Sequence, residues 1–156
     1  MCSSDLGAQG IFHAIDEDDL RRVLAHPASM VASDGGPVVF GRAVPHPRSY
    51  GTFARVLGHY VRDVPVVSLE AAVRKMTSLP AQRIGLNDRG VIRPGMKADL
   101  VIFDPSTVQD VATYENPHRY AEGFQTVLVN GKVVFAKGKM TGEKPGRILY
   151  GPARTD

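Results

Sequence analysis

The spacing of apolar residues changes at Gly90, and this change limits the folds that the chain can adopt. Before Gly90, apolar residues recur at intervals of three and four, a pattern typical of helices with one buried face. After Gly90 they form short runs divided by turn residues, a pattern typical of antiparallel strands. The sequence therefore predicts a first half of helices and strands and a second half of strands alone.

The first half begins as a strand–helix–strand unit. Residues 10–15 and 29–33 are short apolar runs that predict strands, and Asp16 is the predicted N-cap of the helix between them. Pro27 ends that helix, because the residue before a proline disfavours helical geometry. A glycine-rich loop follows at residues 34–37. This order of elements is typical of one unit of a βα fold.

Three further helices are predicted before Gly90. Residues 50–62 carry an apolar stripe at helical spacing, and Ser68 is the predicted N-cap of the next helix. Pro80 suits the first turn of a third, shorter helix that ends at Gly85.

Strands joined by tight turns are predicted after Gly90. Asn130-Gly131, between two apolar runs, is a strong signal for a two-residue hairpin turn. Lys137-Gly138 predicts another turn. The predicted strands are residues 98–104, 125–129 and 132–135.

Composition excludes several classes of protein. The net charge of +3 arises from 19 basic and 16 acidic residues that are interspersed, which argues against a nucleic-acid partner. Cys2 is the only cysteine, so the chain has no internal disulfide and no cysteine-based zinc site. The start lacks the features of a signal peptide, and no apolar run approaches the roughly 20 residues of a membrane span. We expect a cytoplasmic protein without a membrane partner.

Asp34 is the main candidate for chemistry. It directly follows a predicted strand and precedes two glycines. In βα barrels, catalytic groups lie at the C-terminal ends of strands, and a carboxylate there can act as a general base. An Asp-Gly pair is also common in plain turns, and spacing alone does not decide between the two interpretations.

His46 and Arg48 lie in the loop that follows Asp34. Arginine suits bidentate recognition of a carboxylate, although many loop arginines are only solvated. The other histidines are His13, His26, His59 and His118. No two histidines are spaced so that one helix or strand presents both to a metal, and zinc catalysis needs about three protein ligands. The chain by itself is therefore predicted to have no metal ligands.

Several stretches resemble the N-acyl-D-amino-acid deacylases (D-aminoacylases) of the amidohydrolase superfamily. They are MVASDG at 30–35, HPRSYGTFARVLGHYVR at 46–62, EAAVRKMTSLPA at 70–81, VNGKV at 129–133 and TGEKPGR at 141–147. Residues 88–105 resemble the superfamily at large. The resemblance implies an α/β fold: the C-terminal remnant of a metal-dependent (β/α)8 barrel, with its last strand and helices, plus the C-terminal strands of a small β-sandwich. A whole barrel needs about 250 residues.

The resemblance also implies roles for individual residues. Asp34 would be the catalytic general base, and Arg48 would grip the α-carboxylate of an N-acyl-D-amino acid, with His46 beside it in the substrate-binding set. Zn²⁺ would serve the complete enzyme, with its ligands in a missing N-terminal barrel portion that is supplied in cis or in trans. The isolated chain is predicted to be inactive. The loop from Asp34 to Arg48 is longer than is usual in the group, which leaves the substrate preference open.

Three units are expected along the chain. Residues 1–9 are a disordered or artefactual start, 10–88 the end of the barrel, and 89–156 the sandwich strands and tail. Two alternatives remain open. In the first, the chain is one subunit of a split amidohydrolase that needs a partner chain. In the second, it is a non-catalytic β module built on residues 90–147.

Overall fold

The computed structural model describes residues 14–150, which form a helical half followed by a small sheet. The helices are α1 (Glu17–Ala25), α2 (Arg48–Arg55), a π-helix (Val56–Asp63), α3 (Leu69–Met76) and α4 (Ser78–Arg83). The strands are β1 (Leu100–Phe103), β2 (Phe124–Val129), β3 (Lys132–Ala136) and β4 (Lys139–Met140). No helix within this range is both long and apolar enough to cross a bilayer.

Helix α1 begins and ends as its sequence predicts. The Asp16 carboxylate accepts hydrogen bonds from the backbone N–H groups of Asp18, at 2.8 Å, and Asp19, at 3.4 Å. These are two of the N–H groups that have no partner inside a helix. His26, which directly precedes Pro27, has extended rather than helical backbone geometry. The predicted N-cap and terminator are confirmed.

The prediction of a strand at residues 29–33 is wrong, because the structure describes this segment and it is not part of any of the four strands. A strand requires a neighbouring strand to share its backbone hydrogen bonds. Here the N–H of Val31 bonds instead to the carbonyl of Lys75 in α3, at 3.2 Å. Of the other strand predicted in this half, residues 10–13 lie outside the described residues, and residues 14–15 are not in a strand.

The helix predicted over residues 50–62 begins earlier and changes type midway. It starts as α2 at Arg48 and continues from Val56 as a π-helix, in which hydrogen bonds span five residues rather than four. One such bond joins the N–H of Val64 to the carbonyl of His59, at 2.7 Å. The apolar stripe predicted the helical segment correctly, but it carries no information on the wider turn.

Helix α3 places a buried lysine against the end of α1. Ser68 caps the helix through its side chain, as predicted, at 3.2 Å from the N–H of Ala71. Lys75 is only 3% exposed, and its ammonium group donates to the carbonyls of His26 and Ser29 and to the Ser29 hydroxyl. A buried charge is tolerated when all of its donors are satisfied. Lys75 therefore fixes the turn that leads from α1 toward Asp34.

The sheet is antiparallel, with the strands in the order β1-β2-β3-β4. Asn130 and Gly131 both have positive φ, 47° and 79°, in the two-residue turn between β2 and β3. This is the turn type that matches the twist of the two strands. Lys137 and Gly138 repeat it, at φ 51° and 74°, between β3 and β4. Both predicted turns are confirmed.

Val108 joins the two halves of the protein. It is fully buried in the core with Ala54, Leu57 and Ala72. The Arg62 guanidinium donates to the Val108 carbonyl at 2.7 Å. A Cβ on Gly58 would lie 2.6 Å from the same carbonyl oxygen, so only glycine permits this approach.

Substitution of Lys75 by methionine tests how firmly α3 holds the turn before Asp34. We expect Lys75→Met to lower the free energy of unfolding by about 1–3 kcal/mol, because the hydrogen bonds from the ammonium group to the His26 and Ser29 carbonyls and to the Ser29 hydroxyl are lost. The measurement is the urea unfolding midpoint by circular dichroism. Arg74→Met, at the exposed neighbouring position, is the matched control and should change stability by less than about 0.5 kcal/mol. Equal effects of the two substitutions would contradict the role of Lys75 in holding this turn.

Candidate functional site

Asp34 has an unusual backbone conformation. Its φ is +48°, in the left-handed region that few residues other than glycine adopt, although aspartate and asparagine tolerate it best. The turn is supported by the Ser33 hydroxyl, which accepts from the N–H of Gly35 at 3.2 Å. Residues held in such conformations cluster at functional sites, so the outlier adds to the case for Asp34. The sequence carries no direct signal for it.

Gly35 brings Asp34 against the start of α2. A Cβ at this position would lie 2.9 Å from the Cα of Ser49, which is closer than real Cβ atoms approach. The glycine after Asp34 is therefore required by this close packing. As a result, residues 36–47 form a loop whose two ends meet.

Asp34 and Arg48 form an ion pair across the ends of this loop. The distance from Arg48 Nη2 to Asp34 Oδ2 is 3.0 Å. The side chains are 45% exposed for Arg48 and 84% exposed for Asp34. An ion pair this open to solvent contributes about 0–1 kcal/mol. The structure thus brings together two of the residues singled out in the sequence, in a pair that a competing carboxylate can open.

His46 contacts the start of α2. Its Nδ1 accepts a hydrogen bond from the backbone N–H of Arg48 at 3.0 Å, so the imidazole satisfies the first N–H of the helix. On the other side of the ring, Nε2 lies 3.4 Å from the hydroxyl of Tyr114, with the two rings edge to face. His46 therefore orients Arg48 through the backbone, and its predicted contact with substrate stays a prediction.

A cavity of about 620 Å³ opens beside the pair. Arg48, His46 and Tyr114 line it, and Asp34 is not among its lining residues. Apolar side chains from α1 and from the segment before Asp34 form another part of its wall, including Leu20, Val23 and Met30. Arg48 therefore faces an apolar cavity and Asp34 at once.

Tyr114 and Asp110 were not found from the sequence. Asp110 lines the cavity and pairs with Arg55 of α2 at 3.2 Å. Both residues follow Val108 in the chain, more than 60 positions after Arg48, and no motif marks them. Only the packing of Val108 onto the helices brings them to the site, and a single sequence gives no sign of such a contact.

The described part of the chain does not provide a metal centre. Across residues 14–150, no three histidine, cysteine, aspartate or glutamate side chains lie together so that they could hold a metal ion. Asp34 has Arg48 as its charged neighbour, and a cation is a poor neighbour for a metal ligand. These residues alone do not fit a catalytic zinc ion, which needs about three protein ligands.

The chain is similar to enzymes that act on N-acyl-D-amino acids. It is 49% identical over 142 residues to a D-aminoacylase of Alcaligenes xylosoxydans xylosoxydans, which covers 91% of this chain and 29% of that enzyme. A crystal structure of D-aminoacylase superposes with a TM-score of 0.78 at 50% identity, over 83% of this chain and 27% of that one. The chain thus spans less than a third of the length of these relatives.

A second solved structure carries a metal. The N-acyl-D-glutamate deacylase of Bordetella bronchiseptica, complexed with zinc and a phosphonate inhibitor, superposes with a TM-score of 0.74 at 49% identity. The match covers 80% of this chain and 26% of that enzyme. The sequence profile of the amidohydrolase family matches residues 1–135. The protein therefore belongs to the amidohydrolase family, and the resemblance to its D-aminoacylases is confirmed.

Proposed function

We propose that this chain supplies the general base and the substrate-carboxylate contact of a deacylase that hydrolyses N-acyl-D-amino acids. The observation that carries the proposal is the 3.0 Å contact between Asp34 and Arg48. It supports two roles for one site, because a carboxylate that moves protons and a cation that binds an anion lie within reach of one small substrate.

Asp34 would perform the proton transfers of the reaction. Hydrolysis of an amide requires a base that takes a proton from the attacking water and an acid that protonates the leaving nitrogen. One carboxylate can do both in turn, and an exposed side chain at a turn is accessible to water and substrate. The products would be a D-amino acid and a carboxylate.

Arg48 would bind the α-carboxylate of the substrate. It is the first residue of α2, where the dipole of a helix favours an anion, and the first turn of α2 carries no acidic residue. Its present partner, Asp34, is held by an exposed ion pair worth about 0–1 kcal/mol. A substrate carboxylate therefore needs little free energy to take its place.

The rest of the active site would come from a barrel portion outside this chain, in cis or in trans. That portion would supply the ligands of the zinc ion, which activates water in enzymes of this kind. Apolar side chains along the cavity are exposed here, at 64% for Val23 and 44% for Met30. Their burial against another part of the protein would stabilise the assembly. Residues 10–88 would close the barrel, and 89–156 would contribute sandwich strands.

The isolated chain should show no turnover. Purified protein incubated with Zn²⁺ and N-acetyl-D-methionine is expected to release no D-methionine, because the described residues lack a ligand set for the metal. The assay is a coupled D-amino-acid oxidase reaction, with a complete D-aminoacylase as the positive control. Zinc-dependent release of D-methionine would contradict the proposal that further barrel residues are needed.

Removal of the Asp34 charge should abolish most of the activity of a complete enzyme. The test enzyme joins this chain to the N-terminal portion of the Alcaligenes D-aminoacylase. We expect Asp34→Asn to lower kcat about 10²–10⁴-fold with little change in KM, because a general base is lost. Asp63→Asn, in an ion pair at the end of the π-helix, is the control and should retain activity. Near-normal kcat in Asp34→Asn would reject the assigned role.

Removal of the Arg48 charge should weaken substrate binding. In the same joined enzyme, Arg48→Gln is expected to raise KM about 10–100-fold, because charge-assisted hydrogen bonds to the substrate carboxylate are lost. For a substrate amide that lacks the α-carboxylate, we expect Arg48→Gln and the unmodified joined enzyme to have the same KM. Arg42→Gln, at an exposed position in the same loop, is the matched control. An equal KM for both variants would refute the contact.

A further inference from the structure

We propose that His118, as the neutral tautomer with its proton on Nε2, is a positioning residue that holds the loop between Asp34 and Arg48. The loop is residues 36–47, and His118 reaches it from the segment that follows Val108. The consequence for catalysis rests on the proposed function, whereas the contact itself does not.

The hydrogen bonds of His118 determine its tautomer. Nε2 lies 3.0 Å from the carbonyl oxygen of Ala43, which can only accept, so Nε2 must carry the proton. Nδ1 is then an acceptor. Its one lone pair is shared by two donors, the N–H of Gly41 at 3.2 Å and the hydroxyl of Tyr50 at 2.9 Å. Both ring nitrogens are thus used, and two of the three bonds hold the loop backbone.

Tyr50 is suited to donate to this ring. Burial, followed by the nearby Tyr120, raises the pKa of the Tyr50 phenol above its ordinary value of 10.0. The hydroxyl therefore keeps its proton at neutral pH. Since Tyr50 belongs to the first turn of α2, the bond connects the loop to the helix that begins with Arg48.

Aromatic packing adds a second point of attachment. Phe40, in the middle of the loop, stacks on Tyr120 with ring centroids 5.2 Å apart and planes 22° apart. It also meets Tyr50 edge to face at 6.3 Å and lies 5.5 Å from the His118 ring. Such pairs contribute beyond their buried area. We name Phe40, Tyr50, His118 and Tyr120 the aromatic clamp.

The clamp acts at the middle of a loop whose ends carry the candidate site. Gly35 packs on Ser49 at the closed end, and the Asp34–Arg48 ion pair spans it. This pair is exposed and weak, so it does not fix the loop by itself. A loop with a free middle would sample many conformations, and ordering it costs about 1–2 kcal/mol for each residue. The clamp removes that freedom before substrate binds.

The test is nuclear magnetic resonance on the full 156-residue chain labelled with ¹⁵N and ¹³C. In the unmodified chain, we expect the ¹⁵N shifts of His118 to show a protonated Nε2 and an unprotonated Nδ1. A protonated Nδ1 in the neutral ring would overturn the proposal, and this measurement needs no variant.

Three substitutions separate the contacts. His118→Phe keeps an aromatic ring and removes all three hydrogen bonds, and should speed amide exchange of Gly41 about tenfold or more. His118→Asn keeps an acceptor near the position of Nδ1 and should restore part of the protection. Tyr50→Phe removes one hydroxyl and should shift the Nδ1 signal even if His118→Phe fails to fold. His59→Phe, on the π-helix, is the control and should leave Gly41 unchanged.

The positioning role of His118 is tested by the chemical shifts of Asp34 and Arg48. We expect His118→Phe to change the Asp34 carboxyl ¹³C shift and the Arg48 guanidinium ¹⁵N shifts, and His118→Asn to return them toward their original values. Unchanged site signals with faster Gly41 exchange would show a purely structural bond and overturn the positioning role. Because turnover is not measured, either result is independent of whether the complete enzyme is a deacylase.

Discussion

The packing of Val108 between the helices and the sheet determines where the site residues that follow it in the chain lie. Its side chain is fully buried, and its carbonyl accepts from Arg62 while lying against Gly58. The segment that follows Val108 then runs along α2. Because this contact is made, Asp110 reaches Arg55 at the end of that helix, and Tyr114 and His118 reach its start. A single close approach of two backbones therefore assembles the wall of the site.

Local features of the fold could be predicted from the sequence. Asp16 and Ser68 cap helices because their side chains satisfy N–H groups a few residues away, and Asn130-Gly131 turns because both residues accept positive φ. In each case the interaction lies within a few residues of the signal. The prediction of a strand at residues 29–33 was wrong for the opposite reason, since a strand depends on a partner that the local sequence does not specify.

The candidate site follows the same division. Asp34 and Arg48 were found because a short motif and a family resemblance mark them, and the structure brings them to 3.0 Å. The left-handed backbone of Asp34, the hydrogen bond from the Arg48 N–H to His46 and the clamp around His118 were not foreseen. The hydrogen bonds of His118 join residues 68 to 77 positions apart, and a periodic pattern of apolar residues carries no information on contacts at that separation.

The positive φ of Asp34 also restricts how this position can change during evolution. Glycine adopts the left-handed region freely and asparagine tolerates it, whereas branched or bulky residues are strained there. A lineage that loses the proposed reaction no longer needs the proposed base at this position but keeps the turn that packs Gly35 on Ser49. Descendants without activity should therefore carry glycine or asparagine at position 34 far more often than valine or leucine. The backbone conformation thus continues to restrict the residue at position 34 after the requirement for a carboxylate has gone.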